Sequence, residues 1–212
     1  MARDVLGVKL DPQQERILVS VYENRITYCR SGHARGKDYV AAVASLCFLY
    51  SYWPSKVINT APTGRQVKNI MMSEISTIWK NAKIPLGGEL QVERIKFQED
   101  PNWYLEGFKA GDKKPEDWTG IHSPHIAVVI TEGSGIEDET FNAIEGILTG
   151  TVTRELVVGN PHRKTGAFYQ GFRSPRTHKI VLSCLDAPNV LAKKIIIPGQ
   201  VDFEWVKDKV LT

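Results

Sequence analysis

Ser31-Gly32-His33-Ala34-Arg35-Gly36-Lys37-Asp38 is the stretch on which the reading of this 212-residue chain turns. In a glycine-bearing loop that runs into a helix, successive backbone N–H groups converge on anionic oxygens, and a lysine adds a point charge. Lys37 stands where that lysine belongs, so Ser31, Gly32, His33, Ala34, Arg35, Gly36, Lys37 and Asp38 together read as a phosphate-cradling loop. Glycine and lysine in this spacing are common in solvated turns, and it is the flanks that give the stretch weight. Ile26-Thr27-Tyr28-Cys29 before it is β-rich, and Val40 to Tyr50 behind it is apolar but too short to span a bilayer. The order is therefore strand, loop, buried helix. Two positions depart from the usual pattern, which has glycine where Ser31 stands and a magnesium-ligating serine or threonine where Asp38 stands.

About a hundred residues on, Ile126-Ala127-Val128-Val129-Ile130 is a continuous apolar run suited to a parallel strand buried on both faces, and it ends in Thr131-Glu132. A carboxylate at that strand end lies beside the loop in a doubly wound sheet, which suits Glu132 to orienting or deprotonating an attacking water. The residue before such a glutamate is usually an aspartate that holds magnesium, and here it is Thr131. Two readings stay open. Either Asp38 and Thr131 exchange partners and rebuild one magnesium site, or both changes spoil metal binding and leave a protein that binds nucleotide without turnover. Arg30 and Arg35 flank the loop, and either could reach charge that develops on a transferring phosphate.

The remaining text alternates strands with helices. Asp11 and Pro12 open an amphipathic helix through Ile17, Leu18 and Val21. Lys56 to Thr60 is a second strand, and Ala61-Pro62-Thr63 leads into a helix carried by Val67, Ile70, Met71, Ile75, Ile78 and Trp79. Residues 83–119 read as β excursions and loops. A helix is expected from about Asp138 to Leu148, and further core strands at Glu155–Val158 and Lys179–Ser183. This pattern predicts an α/β fold, a P-loop NTPase with a mainly parallel central sheet flanked by helices in a three-layer sandwich. Residues 1–212 read as a single such domain with a short N-terminal helical appendage and a C-terminal tail.

A formal charge of +3 permits nucleic-acid contact without demanding it. Cys29, Cys47 and Cys184 are odd in number and lie in apolar text, as reduced core thiols do, which points to a cytosolic compartment. No segment reads as a signal peptide or a membrane span. Gly159-Asn160-Pro161 closes a strand where a side-chain amide could sense a γ-phosphate, or it is simply a terminating turn. Between Leu156 and Leu185 there is no Asp or Glu, and Arg163, Lys164, Arg173 and Arg176 alternate with Phe168, Tyr169 and Phe172. That segment suits a nucleic-acid backbone or a solvated basic face.

Taken together these residues resemble the ATPase (motor) domain of the large terminase subunit of tailed phages and prophages, over most of the chain. Asp11-Pro12-Gln13-Gln14 is similar to the family's adenine-side glutamine motif, with Gln14 as the matching glutamine. Arg30 to Lys37 resembles its phosphate loop, Ala61-Pro62-Thr63-Gly64-Arg65-Gln66 its Ala-Pro-Thr-x-x-Gln segment, and Thr131-Glu132-Gly133-Ser134-Gly135 its Asp-Glu-Ala-Ser-Gly segment. Asn160 and the Gly166-Ala167-Phe168-Tyr169 that follows match its coupling motif. The resemblance implies ATP and Mg2+ as cofactors, with Lys37 on the β/γ-phosphates, Glu132 activating water, Asp38 and Thr131 at the metal, and Asn160 coupling hydrolysis to movement. It implies double-stranded DNA as the substrate moved into a procapsid, portal protein and small terminase subunit as partners, and a homo-oligomeric ring on the procapsid with a monomer in isolation. The setting it implies is the cytoplasm of an infected or lysogenic bacterial host. The family's nuclease domain would be absent from this chain, and the arginine supplied by a neighbour is unassigned. A helicase-like or DNA-repair ATPase shares the same core motifs and is the alternative enzyme reading.

Overall fold

A computed structural model of the chain describes residues 1–211. Helix α1 (Pro12–Glu23) starts where the Asp11 side chain accepts the N–H groups of Gln13 and Gln14, while the Gln14 side chain accepts the N–H of Asp11. This reciprocal cap satisfies amides that a helix start otherwise leaves unpaired. Strand β1 (Ile26–Ser31) runs into the loop and then into α2 (Lys37–Ser51). Strand β2 (Ser55–Ala61) leads through a π-helical turn at Gln66–Met71 into α3 (Met72–Lys80). Short β3 (Glu89–Leu90), β4 (Arg94–Lys96) and longer β5 (Tyr104–Lys109) follow, then α4 (Pro115–Trp118), β6 (His125–Ile130), α5 (Asp138–Ile147), β7 (Val152–Gly159), α6 (Gly166–Gly171) and β8 (His178–Leu182). Helices α7 (Pro188–Ala192) and α8 (Phe203–Leu211) complete the described chain.

The strands form one sheet in the order β3-β4-β5-β2-β6-β7-β1-β8. All pairings from β5 to β8 are parallel, and β3 and β4 add an antiparallel edge. Side-chain alternation along each strand assigns residues to two faces. On β6, Ala127 and Val129 join the core beneath α1, α2 and α3, while Ile126, Val128 and Ile130 join the core beneath α4, α5 and α6. On β7, Leu156 and Val158 face the first core and Val157 the second. The result is the three-layer α/β sandwich expected from the alternation of elements. Helix α2 is the central piece: every residue from Val40 to Leu49 is buried. Its Ala41, Ala42 and Ala44 let it lie close to the sheet.

Two parts differ from the sequence reading. Strand β5 lies inside the excursion expected over residues 83–119, yet it is a parallel core strand paired with β2. Its half-polar text, Tyr104 to Lys109, carries Gly107 because Val67 and Met72 pack against that backbone, where an added Cβ would come within 2.9 Å of Val67 Cγ1. Ile70, expected on the buried stripe of the next helix, is 42% exposed. The π turn fits more residues into each turn, so each residue rotates through less arc than in an α-helix and Ile70 falls off the buried stripe. Cys184 also departs from expectation: Cys29 and Cys47 are buried, while Cys184 is half-buried beside the loop.

At the N-terminal end of the parallel strands Glu155, on β7, is buried at 8% exposure and accepts the Tyr28 hydroxyl at 3.4 Å. Burial pushes its carboxyl up to about 7, the neighbouring Glu145 adds to this, and Arg176 and the Tyr28 hydroxyl oppose it. A carboxyl whose pKa rises on folding holds its proton more tightly in the folded chain. Its stabilising contribution is therefore full below the ordinary value of 4.5 and is lost as pH rises through about 7. Replacing Glu155 by Gln is expected to remove this slope, so that urea midpoints of variant and wild type diverge between pH 5 and 8, with the variant the more stable at pH 8. Parallel pH profiles of the two proteins would contradict the assignment.

Candidate nucleotide site

The strand order brings three loops to one place. Strand β7 lies between β1 and β6, so the loops leaving the C-terminal ends of all three gather at one edge of the sheet. The loop after β1 enters α2 at Gly36, whose φ of 72° is left-handed and which has Gln14 packed where a Cβ would stand. Among the described residues the backbone N–H groups of His33, Ala34, Arg35, Gly36 and Lys37 donate to no acceptor. Five unpaired donors at the N-terminus of a fifteen-residue helix, with its partial positive charge, are an anion site in physical terms. Ala34, at φ 48°, takes the left-handed conformation without being glycine.

Lys37 Nζ lies 2.8 Å from Glu132 Oε1 and 3.5 Å from Asp38 Oδ2. The carboxylate at the end of β6 thus meets the lysine that opens α2. Glu132 reaches it through a left-handed backbone, φ 52° and ψ 44°, a conformation that costs free energy in a non-glycine residue and is common where side chains are aimed for chemistry. Burial works against the Lys37 charge, but Asp38 and Glu132 more than offset it, so the ammonium is held above its usual 10.5. Burial also pushes the Asp38 carboxyl above 3.8, with Lys37 opposing and Glu132 adding to the rise. Thr131 is buried, and its N–H donates to Thr60 O at 3.0 Å, so it closes the β6 ladder. Asn160 follows β7, is 6% exposed, and donates from Nδ2 to Ser31 O at 3.0 Å. Two cavities of about 550 and 540 Å3 flank the cluster, one between Gly133–Glu139 and Arg163–Phe168, the other between the phosphate loop, Asn160 and the end of β8.

Several expected residues sit elsewhere. Gln14 uses its amide on structure: Oε1 accepts Asp11 N–H and Nε2 donates to Arg35 O at 3.1 Å, so it braces the loop from behind. Arg35 is 1% exposed and its guanidinium turns away from the loop mouth into hydrogen bonds with Asp11, Gln13, Gln200 and Ser183 O, out of reach of a phosphate. Arg30 is exposed and lies over the Phe172 ring at 5.7 Å. The four basic residues 163, 164, 173 and 176 do not form one surface. Arg163 and Lys164 follow β7 at the nucleotide edge, whereas Arg173 and Arg176 precede β8 at the opposite end, with Arg176 paired to Glu145 at 3.1 Å. Helix α6 runs between them. Gln200 and Ser183, which contact Arg35 from the far end of the chain, carry no local sequence signal.

No protein-family model matches the chain. A probable terminase large subunit from Enterobacteria phage P7 is 29% identical over 176 residues, 79% of this chain and 36% of that protein. The large terminase ATPase domain of Thermus phage P74-26 superposes with a TM-score of 0.67 at 17% identity, covering 91% of this chain and 90% of that one. This is the fold of a phage large-terminase ATPase domain. The large terminase of a thermophilic bacteriophage, solved in complex with ADP, has the same fold at a TM-score of 0.62 and 10% identity, over 82% of this chain and 45% of that one. The present chain spans about a third of the length of the curated relative it matches. Among its described residues no helix is long and apolar enough to cross a membrane.

The terminase-type fold makes the Asn160 contact a sensitive one, because it joins the strand end after β7 to the first residue of the loop. Changing Asn160 to Asp would set a buried acceptor against the Ser31 carbonyl in place of a donor. The expected cost is about 1–3 kcal/mol at pH 8, read as a lowered urea midpoint that recovers as pH falls and the new carboxyl protonates. A midpoint unchanged at pH 8 would mean that the Asn160 to Ser31 bond contributes nothing.

Proposed function

We propose that this chain is the motor domain of a large terminase subunit, which hydrolyses ATP to drive double-stranded viral DNA into a procapsid. The observation that carries this reading is the convergence of five free loop amides, the Lys37 ammonium and the Glu132 carboxylate at the C-terminal edge of a parallel sheet. The similarity to a probable phage terminase over 79% of the chain supplies the substrate class. The ADP complex of a large terminase of the same fold supports a nucleotide as the ligand.

The chemistry follows from charge. The loop amides and Lys37 bind the β- and γ-phosphates, and the incoming phosphate competes with Glu132 for the lysine. Displaced from Lys37, Glu132 is a free carboxylate across from the terminal phosphate, placed to orient and deprotonate water. Asp38, in the first turn of α2, offers one carboxylate toward the phosphates. Magnesium is commonly held by one or two carboxylates, substrate phosphates and waters, so this single side chain fits the ion although no group of three His, Cys, Asp or Glu side chains forms among the described residues. Thr131, buried at the strand end, completes the exchanged pair. When bound, magnesium neutralises charge that develops on the transferring phosphate. Asn160, bonded to the first loop residue, is placed to report the phosphate state to the segment that follows it. Arg163 and Lys164 are the basic residues at this edge suited to a DNA backbone. Assembly as a ring with portal and small-subunit partners, in the cytoplasm of an infected or lysogenic host, belongs to the same proposal.

Phosphate release and ADP calorimetry test it together. Lys37→Ala is expected to abolish both, Glu132→Gln to keep ADP binding while hydrolysis falls by about 100-fold or more, and Asp38→Ala to abolish magnesium-dependent hydrolysis. Hydrolysis unchanged in Glu132→Gln would overturn the catalytic assignment. ADP binding by wild type with no hydrolysis, even when DNA and procapsid are added, would instead favour a nucleotide-binding module.

A further inference from the structure

A buried polar cluster lies behind the phosphate loop, and Arg35 is at its centre. Its Nε donates to Ser183 O at 2.9 Å, one terminal nitrogen to Asp11 Oδ2 at 3.3 Å and Gln200 Oε1 at 3.0 Å, and the other to Gln13 Oε1 at 3.2 Å. Asp11 divides its two oxygens: Oδ1 caps α1, and Oδ2 takes Arg35 and the Gln200 amide, the latter at 3.1 Å. The backbone is tied at the same place. Val201 N–H donates to Ala34 O at 2.9 Å, and Gln14 Nε2 to Arg35 O at 3.1 Å. The segment that brings Gln200 here is itself held from within, since buried Asn189 accepts the N–H groups of Ile196 and Ile197 and donates to Ile197 O and Gln200 O.

A hub of this kind has a purpose that packing does not explain. A buried guanidinium is costly unless its donors are satisfied, and replacing the pair by apolar side chains would serve stability as well. What a planar, multidentate cation adds is geometry: it fixes several chain segments at once relative to its own backbone. Here that backbone is the loop, between two left-handed residues, Ala34 and Gly36, with five amides pointing outward and no partner of their own. We propose that Arg35 is a positioning residue that sets the phosphate loop by fastening it to the segment 197–201 and to the start of α1. The loop geometry then depends on that distant segment, and by linkage a phosphate bound in the loop tightens the segment in return.

Hydrogen–deuterium exchange on the nucleotide-free chain tests the positioning role without reference to catalysis. Arg35→Lys keeps a charge near Asp11 but cannot reach Gln13, Gln200 and Ser183 together. It is expected to raise exchange at the hydrogen-bonded amides at the two ends of the loop, Gly32 and Val40, and at Ile197, Gln200 and Val201, by about tenfold or more, the size of losing one hydrogen bond to a charged group. Exchange in β6, residues 126–130, should stay at the wild-type rate. Gln200→Ala, a milder cut that leaves the Arg35 to Asp11 pair, should loosen the same two segments to a smaller degree. Equal acceleration in β6 would mark a general loss of stability, and unchanged exchange in the loop would mark an inert cluster. Either result overturns the proposal. The second arm rests on the nucleotide reading: ADP added to wild type should slow exchange in 197–203, and Gln200→Ala should weaken ADP binding. Failure of wild type to bind ADP would count against the nucleotide reading and leave the exchange result to judge Arg35. Binding without any protection of 197–203 would remove the linkage to the segment.

Discussion

The arrangement at the C-terminal edge of the sheet depends on one electrostatic constraint, an ammonium held between two carboxylates. Lys37 meets Glu132 at 2.8 Å and Asp38 at 3.5 Å, at a helix start where five backbone donors are unpaired. The local balance is uneven. Positive charge from the amides and the lysine asks for an anion, and the nearest anions are two side chains that already partly satisfy the lysine. Burial holds Asp38 above its ordinary pKa even with Lys37 adjacent, so a second negative charge is poorly tolerated unless a cation arrives with it. A phosphate anion accompanied by a divalent cation brings both signs. In this chain the carboxylate stands at Asp38, in the first turn of α2, and the hydroxyl at Thr131, where the β6 ladder closes.

That constraint is held in place from two directions. In front, the β6 ladder runs through Thr131, whose N–H bonds to β2, and then turns sharply through the left-handed Glu132. Behind, the buried polar hub around Arg35 fixes the loop that carries the amides. Ala34 and Glu132 both take a left-handed backbone without being glycine, a conformation that persists only where the surrounding structure holds it. Preorganised donors lose little on binding, which is why a site of this kind is built on strand ends and a long buried helix instead of on free loops.

Much of the fold could be read directly because its signals are local. The apolar run Ile126–Ile130 suits a strand buried on both faces, and Val40–Tyr50 behind the loop suits a buried helix, and both stand where expected. Strand β5 was missed because its burial comes from what lies over it: Val67 and Met72 cover Gly107, while Glu106 and Lys109 give it the look of a surface excursion. Ile70 was misjudged because a π turn breaks the 3.6-residue period on which the reading relied. At the site, the loop and Glu132 were legible as residue types at strand ends. The opposite fates of Lys37 and Arg35, two residues apart, were not, because Arg35 finds Gln200 across 165 positions of chain. The quartet 163, 164, 173 and 176 was grouped by sequence proximity alone, and α6 carries its two halves to opposite ends of the sheet.

The same geometry gives Gln14 and Asn160 related tasks. Each places a side-chain amide against a carbonyl of the phosphate loop, Gln14 at Arg35 O and Asn160 at Ser31 O, so the two ends of the loop are each read by one element outside it. Gln14 belongs to a capped helix and is locked by its second bond to Asp11 N–H. Asn160 is followed by a turn and a short helix whose start is held through Asp138, which accepts the Ala167 N–H at 2.6 Å, and through Phe168, buried against Tyr28. One end of the loop is therefore tied to a capped helix and the other to a strand end followed by the exposed turn 161–165. Ser31 thus touches Asn160 and through it the turn that carries Arg163 and Lys164, whereas Arg35 touches Gln14 and α1.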